Sequence, residues 1–505
     1  MLVDSTHPTS AELLLASLKR NGPRPAVTAD DSTLTYAELD ALSDRLAMFL
    51  GERGVERDVA VALYLRNSAE YVVAEFAILK LGAVRVPLNE LMGGPELAYC
   101  LDHSGAKVLI ADADLARAAP DDEHRIDILV GETAALSSLA VGWAEAVAGE
   151  GLFATRAAAA DDTAIIAYTG GTTGRPKGVR HSYGRMAWNL FSHINCLDIR
   201  TEEVMLLTTP LPHSSGYHMV AGLLQGAHVI IERRFDPDRF FALCREDGVT
   251  WTMMVPTMLY RLLDHPAAGG GDHSRLNTIV YGAAPISRPR LEEGLRKFGK
   301  VFLQIYGQTE CPNLITTLGK DDHERPELLA SCGRAVPLVA LRLQPEGADA
   351  GEVEVSSPYL LTEYYRDEGA TRQAVDEGWL KTGDLGRIED GYLFLVDRAK
   401  DMIISGGMNV YSTEVEAVLR EHGSVREAAV VGLPHADWGE AVTAIVVADE
   451  GVAAEDIRLF AKARLSAYKV PKTVQIVERL PLTQYGKIDK KRIRELLIAS
   501  AGAAS

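Results

Sequence analysis

The 505-residue chain is short of basic charge: 52 lysines and arginines face 70 aspartates and glutamates, for a net charge of −18. A general nucleic-acid surface needs a basic footprint to displace phosphate counterions, so this balance disfavours that class of partner. A local basic site for an anionic cofactor remains open, and the acidity otherwise serves solubility. Cysteine is also scarce. The five (Cys100, Cys196, Cys244, Cys311, Cys332) are scattered, without a C-x-x-C pair or zinc spacing. That argues against a disulfide framework or a thiolate metal centre and fits reduced thiols in the cytoplasm. No apolar run is long enough to span a bilayer. "AELLLASL" near the start reads as one face of an amphipathic helix, with no basic region ahead of it. Internal repeats and low-complexity tracts are missing too.

What is there is the composition of a globular protein, 47% hydrophobic and 24% charged. The length exceeds one core, so two or more domains are expected. Between Ala26 and Ile110 helical stretches alternate with the short apolar strands "DVAVALYL", "AVRVPL" and "KVLIAD", an α/β signature. From Asp162 a second α/β stretch begins. "TAIIAYT", "GVTWTMMV", "TIVYGAA" and "VFLQIYG" read as strands, and "HSYGRMAWNLFSHI" as a helix. The character changes after Gly351, where "GEVEVSS" alternates and Asp390-Gly391 sits between two alternating runs as a hairpin turn. Thr413 and Glu416 have the spacing of a capping box, and Gly423 is placed to end that helix. Strands, a helix and the terminal basic helix "KKRIRELLI" then complete a small α+β unit. The expected architecture is therefore α/β: a large N-terminal domain of several α/β subdomains and a β-rich part, residues 1–399, and a small α+β C-terminal domain, residues 400–505.

One stretch carries the chemistry first. "YTGGTTGRPKGV", Tyr168 to Val179, follows a strand and is rich in backbone N–H and hydroxyl donors. It is not a Walker loop, because Lys177 follows proline and no serine or threonine follows the lysine. The physics is similar all the same. At Gly170, Gly171 and Gly174 no Cβ blocks the approach of an anion to the backbone. Thr169, Thr172 and Thr173 add hydroxyls, and Lys177 adds a charge.

This stretch resembles the phosphate loop of the adenylate-forming superfamily, which includes acyl-CoA and aryl-CoA synthetases, adenylation domains and beetle luciferases. The later motifs come in that family's order: "VYGAAPIS" (Val280 to Ser287), "QIYGQTE" (Gln304 to Glu310), "GWLKTGDLG" (Gly378 to Gly386), "VDRAKDMIISGGMNVYSTEVE" (Val396 to Glu416) and "LPLTQYGKIDKK" (Leu480 to Lys491). The similarity covers nearly the whole chain. It implies an enzyme that binds ATP and Mg²⁺, forms an acyl-adenylate from a small carboxylic acid, and passes the acyl group to CoA.

Residue by residue, the resemblance places Gly282, Ala283 and Ala284 beside adenine, and Tyr306 of Tyr306-Gly307 offers that base a flat face. Thr309 supplies a hydroxyl, and Glu310 a hard oxygen ligand for Mg²⁺. Asp384 would accept both ribose hydroxyls, with Arg398 on the ribose and phosphate side. Lys487 is expected to bridge the acid carboxylate and the α-phosphate, because two anions must meet there and a point charge on a long stem lowers their repulsion. Lys400 falls at the family's hinge, so the small domain is expected to present Lys487 first and then, by rotating, "SGGMN". Gly406 and Gly407 would let a pantetheine arm pass, and Trp438 would stack on the CoA adenine.

His213, in "PLPHSSGYHMV", matches a position that gates the carboxylate site in relatives. Gly216, Tyr217, Gly282, Ala283 and Gly307 are candidate walls of an acid pocket, and their small size would admit a flat ring. No aspartate stands near "HSSGY" to hold a substrate ammonium, which disfavours an amino acid. An aromatic or alicyclic acid is the resulting expectation. The sequence departs from the family at Gly170, where a hydroxyl is usual, and at Ser412, where proline is usual. The second departure leaves the acceptor open between CoA, a carrier-protein thiol acting in trans and a small nitrogen nucleophile such as nitrite. A silent nucleotide-binding protein is the contrasting reading. No membrane partner is expected, and a homodimer is compatible with all of this.

Overall fold

The computed structural model describes residues 8–131, 140–169, 175–270, 273–347, 350–398, 401–406, 408–435, 438–483 and 488–502. Its contacts divide the chain into two compact units. The first comprises Met1–Ile286, Arg290–Ala340 and Ser356–Leu380, and the second Ser287–Pro289, Leu341–Val355 and Lys381–Ser505.

The first unit is built on two sheets. Among the described residues one has nine strands, with Phe302–Tyr306, Thr278–Gly282, Trp251–Met254, Val204–Leu207, His228–Ile231 and Pro25–Ala29 lying side by side in parallel. The strand runs are predominantly apolar, as both-sided burial under helices favours. The other has eight strands. Its parallel part contains Ala60–Tyr64, Val84–Pro87, Val108–Asp112 and Thr163–Thr169, and antiparallel Lys177–Ser182 and Glu363–Tyr364 close one edge.

Helix Ala69–Leu81 is buried along its whole length from Tyr71 onward, the mark of an element covered on all sides. The charges it carries are accordingly paired. Glu75 meets Arg85, and Lys80 Nζ lies 2.6 Å from both Asp40 and Asp44. Helix Ser10–Asn21 is the amphipathic element expected from "AELLLASL". It buries Leu14 and Leu18 and starts at a capping box, Thr9 with Glu12, which the sequence reading did not pick out.

The hairpin of Trp379–Glu389 and Tyr392–Arg398, which belongs to the second unit from Lys381 onward, turns at Asp390 and Gly391, both at positive φ (49° and 82°). This is the turn expected of Asp-Gly. A separate sheet joins Ile403–Ser405, Met408–Val410, Val425–His435, Gly439–Ala448 and Thr473–Ile476. Helices Ser412–Arg420 and Ala454–Lys462 supply Val415, Leu419 and Ile457 to its core. The expected capping box is absent. Helix Ser412–Arg420 has Tyr411 at its N-cap, Thr413 Oγ1 donates to the Val396 carbonyl, and Glu416 accepts the Val430 amide. Tertiary partners outcompete the local motif. The helix also ends before Gly423, with Glu421 as its C-cap.

All five cysteines are free thiols. Among the described residues no helix is long and apolar enough to cross a membrane.

Candidate active site

The described residues expected on the phosphate side of the first unit lie where strands end. Strand Thr163–Thr169 ends at Thr169, directly opposite Lys177 on the returning strand. Gly170, Gly171, Thr172, Thr173 and Gly174 lie outside the described residues. Lys177 is exposed, and its Nζ sits 4.7 Å from the centroid of the Tyr364 ring, a cation–π distance. The Tyr364 hydroxyl donates to Glu310 Oε1 at 2.7 Å. Burial, and next the neighbouring Glu310 carboxylate, hold this phenol well above its ordinary pKa, so it stays a donor. The expected anion-binding cation and the expected Mg²⁺ carboxylate thus meet on one tyrosine that the sequence reading missed.

The loop Gly307–Asn313 joins this corner to a second one. It leaves the carboxyl end of strand Phe302–Tyr306, beside Gly282 at the end of its parallel neighbour, the usual place for ligands in such sheets. Tyr306 is half-buried, Ala283 exposed and Ala284 half-buried. Ala283 holds a positive φ of 66°, an uncommon state for a residue with a Cβ. At Thr309 the backbone carbonyl accepts from His181 Nε2 at 2.8 Å, and the Glu310 carbonyl accepts the Leu361 amide at 2.7 Å. Farther along, Asn313 Nδ2 donates to the Ser214 carbonyl at 3.1 Å and to His193 Nε2 at 3.2 Å.

That second corner holds His213. The Asn89 Oδ1 accepts the Leu91 amide at 2.8 Å, which fixes the amide and leaves its Nδ2 to donate to His213 Nε2 at 2.6 Å. Nε2 therefore accepts, and the neutral ring carries its proton on Nδ1. The same logic applies to His193. It donates from Nδ1 to the Asn189 carbonyl (2.8 Å) and accepts at Nε2, so both nitrogens are satisfied without charge. Burial pushes His193 and His181 down to about 4, and His218 well below its ordinary value. His193 stacks on Tyr217 at 6.3 Å, and His218 lies 5.4 Å from Trp251.

The glycine walls have a different explanation from the one expected. A Cβ on Gly216 would lie 2.2 Å from the Leu211 carbonyl oxygen, on Gly282 2.4 Å from that of Ile305, and on Gly307 2.3 Å from the Asn313 carbonyl carbon. Backbone packing requires these glycines, so their size carries no information about the shape of the acid.

In the second unit Asp384 and Arg398 are cross-strand partners in the hairpin. Arg398 Nε lies 3.1 Å from Asp384 Oδ1, with the aspartate buried and the arginine half exposed. Gly406 and Trp438 also meet. The Gly406 amide donates to the Trp438 carbonyl at 2.8 Å, and a Cβ on Gly406 would lie 2.9 Å from the indole. Trp438 is 41% exposed, and Lys472 Nζ lies 4.5 Å over its ring. Lys400, Gly407 and Lys487 lie outside the described residues.

Among the described residues no three ligating side chains gather into a metal cage. A single carboxylate oriented by a phenol suits Mg²⁺, which keeps water and substrate phosphate as most of its ligands.

Sequence comparison matches residues 14–365 to the AMP-binding enzyme family and residues 414–487 to the AMP-binding enzyme C-terminal domain. The chain is 35% identical to the medium/long-chain-fatty-acid–CoA ligase FadD8 of Mycobacterium tuberculosis, over 100% of this chain and 92% of the relative. It is also 35% identical to feruloyl-CoA synthase of Amycolatopsis sp., over 93% and 95% of the two chains. In structure it is similar to the amide bond synthetase McbA from Marinactinospora thermotolerans, with a TM-score of 0.87, 31% identity, and 96% and 99% of the two chains covered.

Proposed function

Starting from the premise that this chain belongs to the AMP-binding enzyme family, we propose that it is an ATP-dependent acid–CoA ligase for an aromatic or alicyclic acid. In the first half-reaction a carboxylate oxygen attacks the α-phosphorus and the bond to pyrophosphate breaks. In the second the CoA sulfur attacks the acyl carbon, AMP leaves with the bonding pair, and the thiol proton passes to solvent. The observation that carries the reading is the convergence of Lys177 and Glu310 on Tyr364, beside a loop that also reaches the His213 corner. Attack on phosphorus needs nucleotide and acid held together, and this loop touches both sets of residues.

In this reading Thr169 to Gly174 and Lys177 bind the phosphates, and Gly282 to Ala284, Tyr306 and Gly307 the adenine. Glu310 would hold Mg²⁺, which neutralises phosphate charge when bound. Asp384 and Arg398 take the ribose, and Lys487 supplies positive charge between the two anions. Residues 400–505 form a mobile domain that pivots at Lys400. Gly406, Gly407 and Trp438 serve the thiol substrate. A ring-shaped acid is favoured by the rings of Tyr217 and His193 next to the His213 loop, and by feruloyl-CoA synthase among the relatives.

One observation favours a second acceptor. The similarity to an amide bond synthetase extends over almost the whole chain, so an amine in place of the thiol is the competing reading. The test is pyrophosphate release from ATP and Mg²⁺ with a panel of acids, with CoA, with amines and with neither. CoA-dependent AMP turnover with thioester product supports the ligase. Amide product without CoA dependence supports the second reading, and no release with any acid overturns both.

A further inference from the structure

The second unit holds a buried polar cluster that the reaction above does not use. Asp397, at the end of strand Tyr392–Arg398, is buried, and its carboxylate accepts from Ser412 twice. The Ser412 amide lies 2.5 Å from Oδ2, and the hydroxyl lies 2.8 and 3.0 Å from the two oxygens. The Arg398 amide adds a bond to Oδ1 at 2.8 Å. Ser412 is fully buried at the first turn of its helix, and its oxygen accepts in turn from Lys490 Nζ at 2.7 Å. Lys490 opens the terminal helix Lys490–Gly502 and also pairs with buried Glu416 at 2.7 Å, whose carboxylate accepts the Val430 amide at 2.9 Å. A strand end, the start of one helix and the start of another are thus joined through three side chains.

Position in the chain gives the cluster its meaning. Asp397 lies just before Lys400, Ser412 follows the loop "SGGMNVY", and Lys490 comes just after Lys487. The serine is also what makes the cluster possible. A proline there has neither N–H nor hydroxyl and would leave Asp397 with none of its bonds from that residue, a buried carboxylate short of donors. Burial already pushes Asp397 above the usual carboxylate range, and Lys490, first, and then Ser412 oppose that.

We propose that Asp397, Ser412 and Lys490 form a clasp that positions the loop carrying Lys487 for adenylation. They act as positioning residues and touch no substrate. The inference rests on the assignment of Lys487 above. The thiol-side residues Gly406 and Trp438 are held to each other by a separate bond, so the clasp bears on the first half-reaction more than on the second.

The experiment measures ATP–pyrophosphate exchange and, separately, thioester formation from a supplied acyl-adenylate. Ser412→Pro and Lys490→Met are expected to lower kcat for exchange about ten- to a hundredfold, the scale of a small misplacement, with KM for ATP little changed. Thioester formation should fall less than exchange, and Ser412→Thr, which keeps both donors, should restore it. In a Lys487→Ala background Lys490→Met should cost nothing further. Equal losses in both half-reactions, or an additive loss in that background, overturn the clasp. Should Ser412→Pro fail to fold, Ser412→Ala and Lys490→Met give the same reading. If Lys487→Ala itself leaves exchange unchanged, it is the catalytic assignment that fails; if it abolishes exchange while the clasp variants do not alter it, only the clasp fails.

Discussion

Two buried polar clusters, one in each unit, are held by opposite means, although the first unit also buries the Glu75–Arg85 and Lys80–Asp44 ion pairs. In the first, the residues around the proposed acid site are neutral and buried: His181, His193 and His218 are kept uncharged by burial and bonded to carbonyls, amides or a hydroxyl. In the second, the buried cluster is ionic, with Asp397 and Glu416 facing Lys490. Neutral bonds fix these histidines without adding charge of their own, which suits a site proposed to bind a highly charged nucleotide. The ions of the second cluster instead tie together three elements of that unit, the strand end at Asp397 and the starts of two helices.

The largest expected effect follows from this contrast. For His181 and His193 the folded pKa of about 4 lies below the ordinary 6.5. Between these values the unfolded chain binds more protons, so the first unit loses stability as pH falls through the window. Each histidine contributes on the order of 3 kcal/mol to that loss. Asp397 has the opposite sign. Its raised pKa favours the protonated form in the fold, so its contribution does not weaken on acidification. Calorimetry from pH 6.5 to 4, with tryptophan fluorescence reporting mainly the first unit, which holds Trp143, Trp188, Trp251 and Trp379, should show that transition falling ahead of the other. Equal movement of both would break the comparison.

Next comes the cation itself. Lys487→Ala is expected to cut ATP–pyrophosphate exchange by about 10²–10³-fold, as does loss of one preorganised donor in other sites. The fluorescence-reported melting of the first unit should not change. An unchanged exchange rate would remove Lys487 from the chemistry.

Much of the fold was readable because it depends on neighbours in the chain. The Asp390-Gly391 turn and the apolar strands follow from local backbone preference and burial. In the candidate site, a contiguous motif such as "YGQTE" already set Tyr306, Gly307 and Glu310 side by side in the sequence. What escaped is what long-range pairing creates. Tyr364 sits in a two-residue strand that pairs with Val179, and nothing near it in the sequence marks it as a partner for Lys177 and Glu310. Asn89 and His213 meet across 124 positions. The Thr413–Glu416 spacing misled for the same reason: its local bonds lost to Val396 and Val430.

Tyr364 therefore gives the third and smaller prediction. Tyr364→Phe keeps the ring under Lys177 and removes one donor to a carboxylate, a bond worth about 1.5–3 kcal/mol. Exchange at limiting Mg²⁺ should fall by about ten- to a hundredfold, and excess Mg²⁺ should recover part of it. A loss that does not respond to Mg²⁺ would place the tyrosine in packing and separate Glu310 from the metal.

The smallest effect belongs to Trp438, where the two units' different trades are easiest to tell apart. Its ring is already covered on one side by Lys472 and bounded at its edge by Gly406, yet 41% of the residue is exposed. A base stacked there gains the ordinary aromatic increment of about 0.5–1.5 kcal/mol, so Trp438→Ala should raise KM for CoA by about two- to tenfold. The change should appear only in the CoA-dependent step, because among the described residues the indole meets Gly406, which is proposed to serve the thiol. A tryptophan that serves packing alone predicts the reverse pattern: a lower melting temperature for the second unit with KM for CoA unmoved. Amine acceptors sharpen the contrast further, since a small nucleophile has no adenine to stack and its KM should ignore the substitution even where CoA's does not.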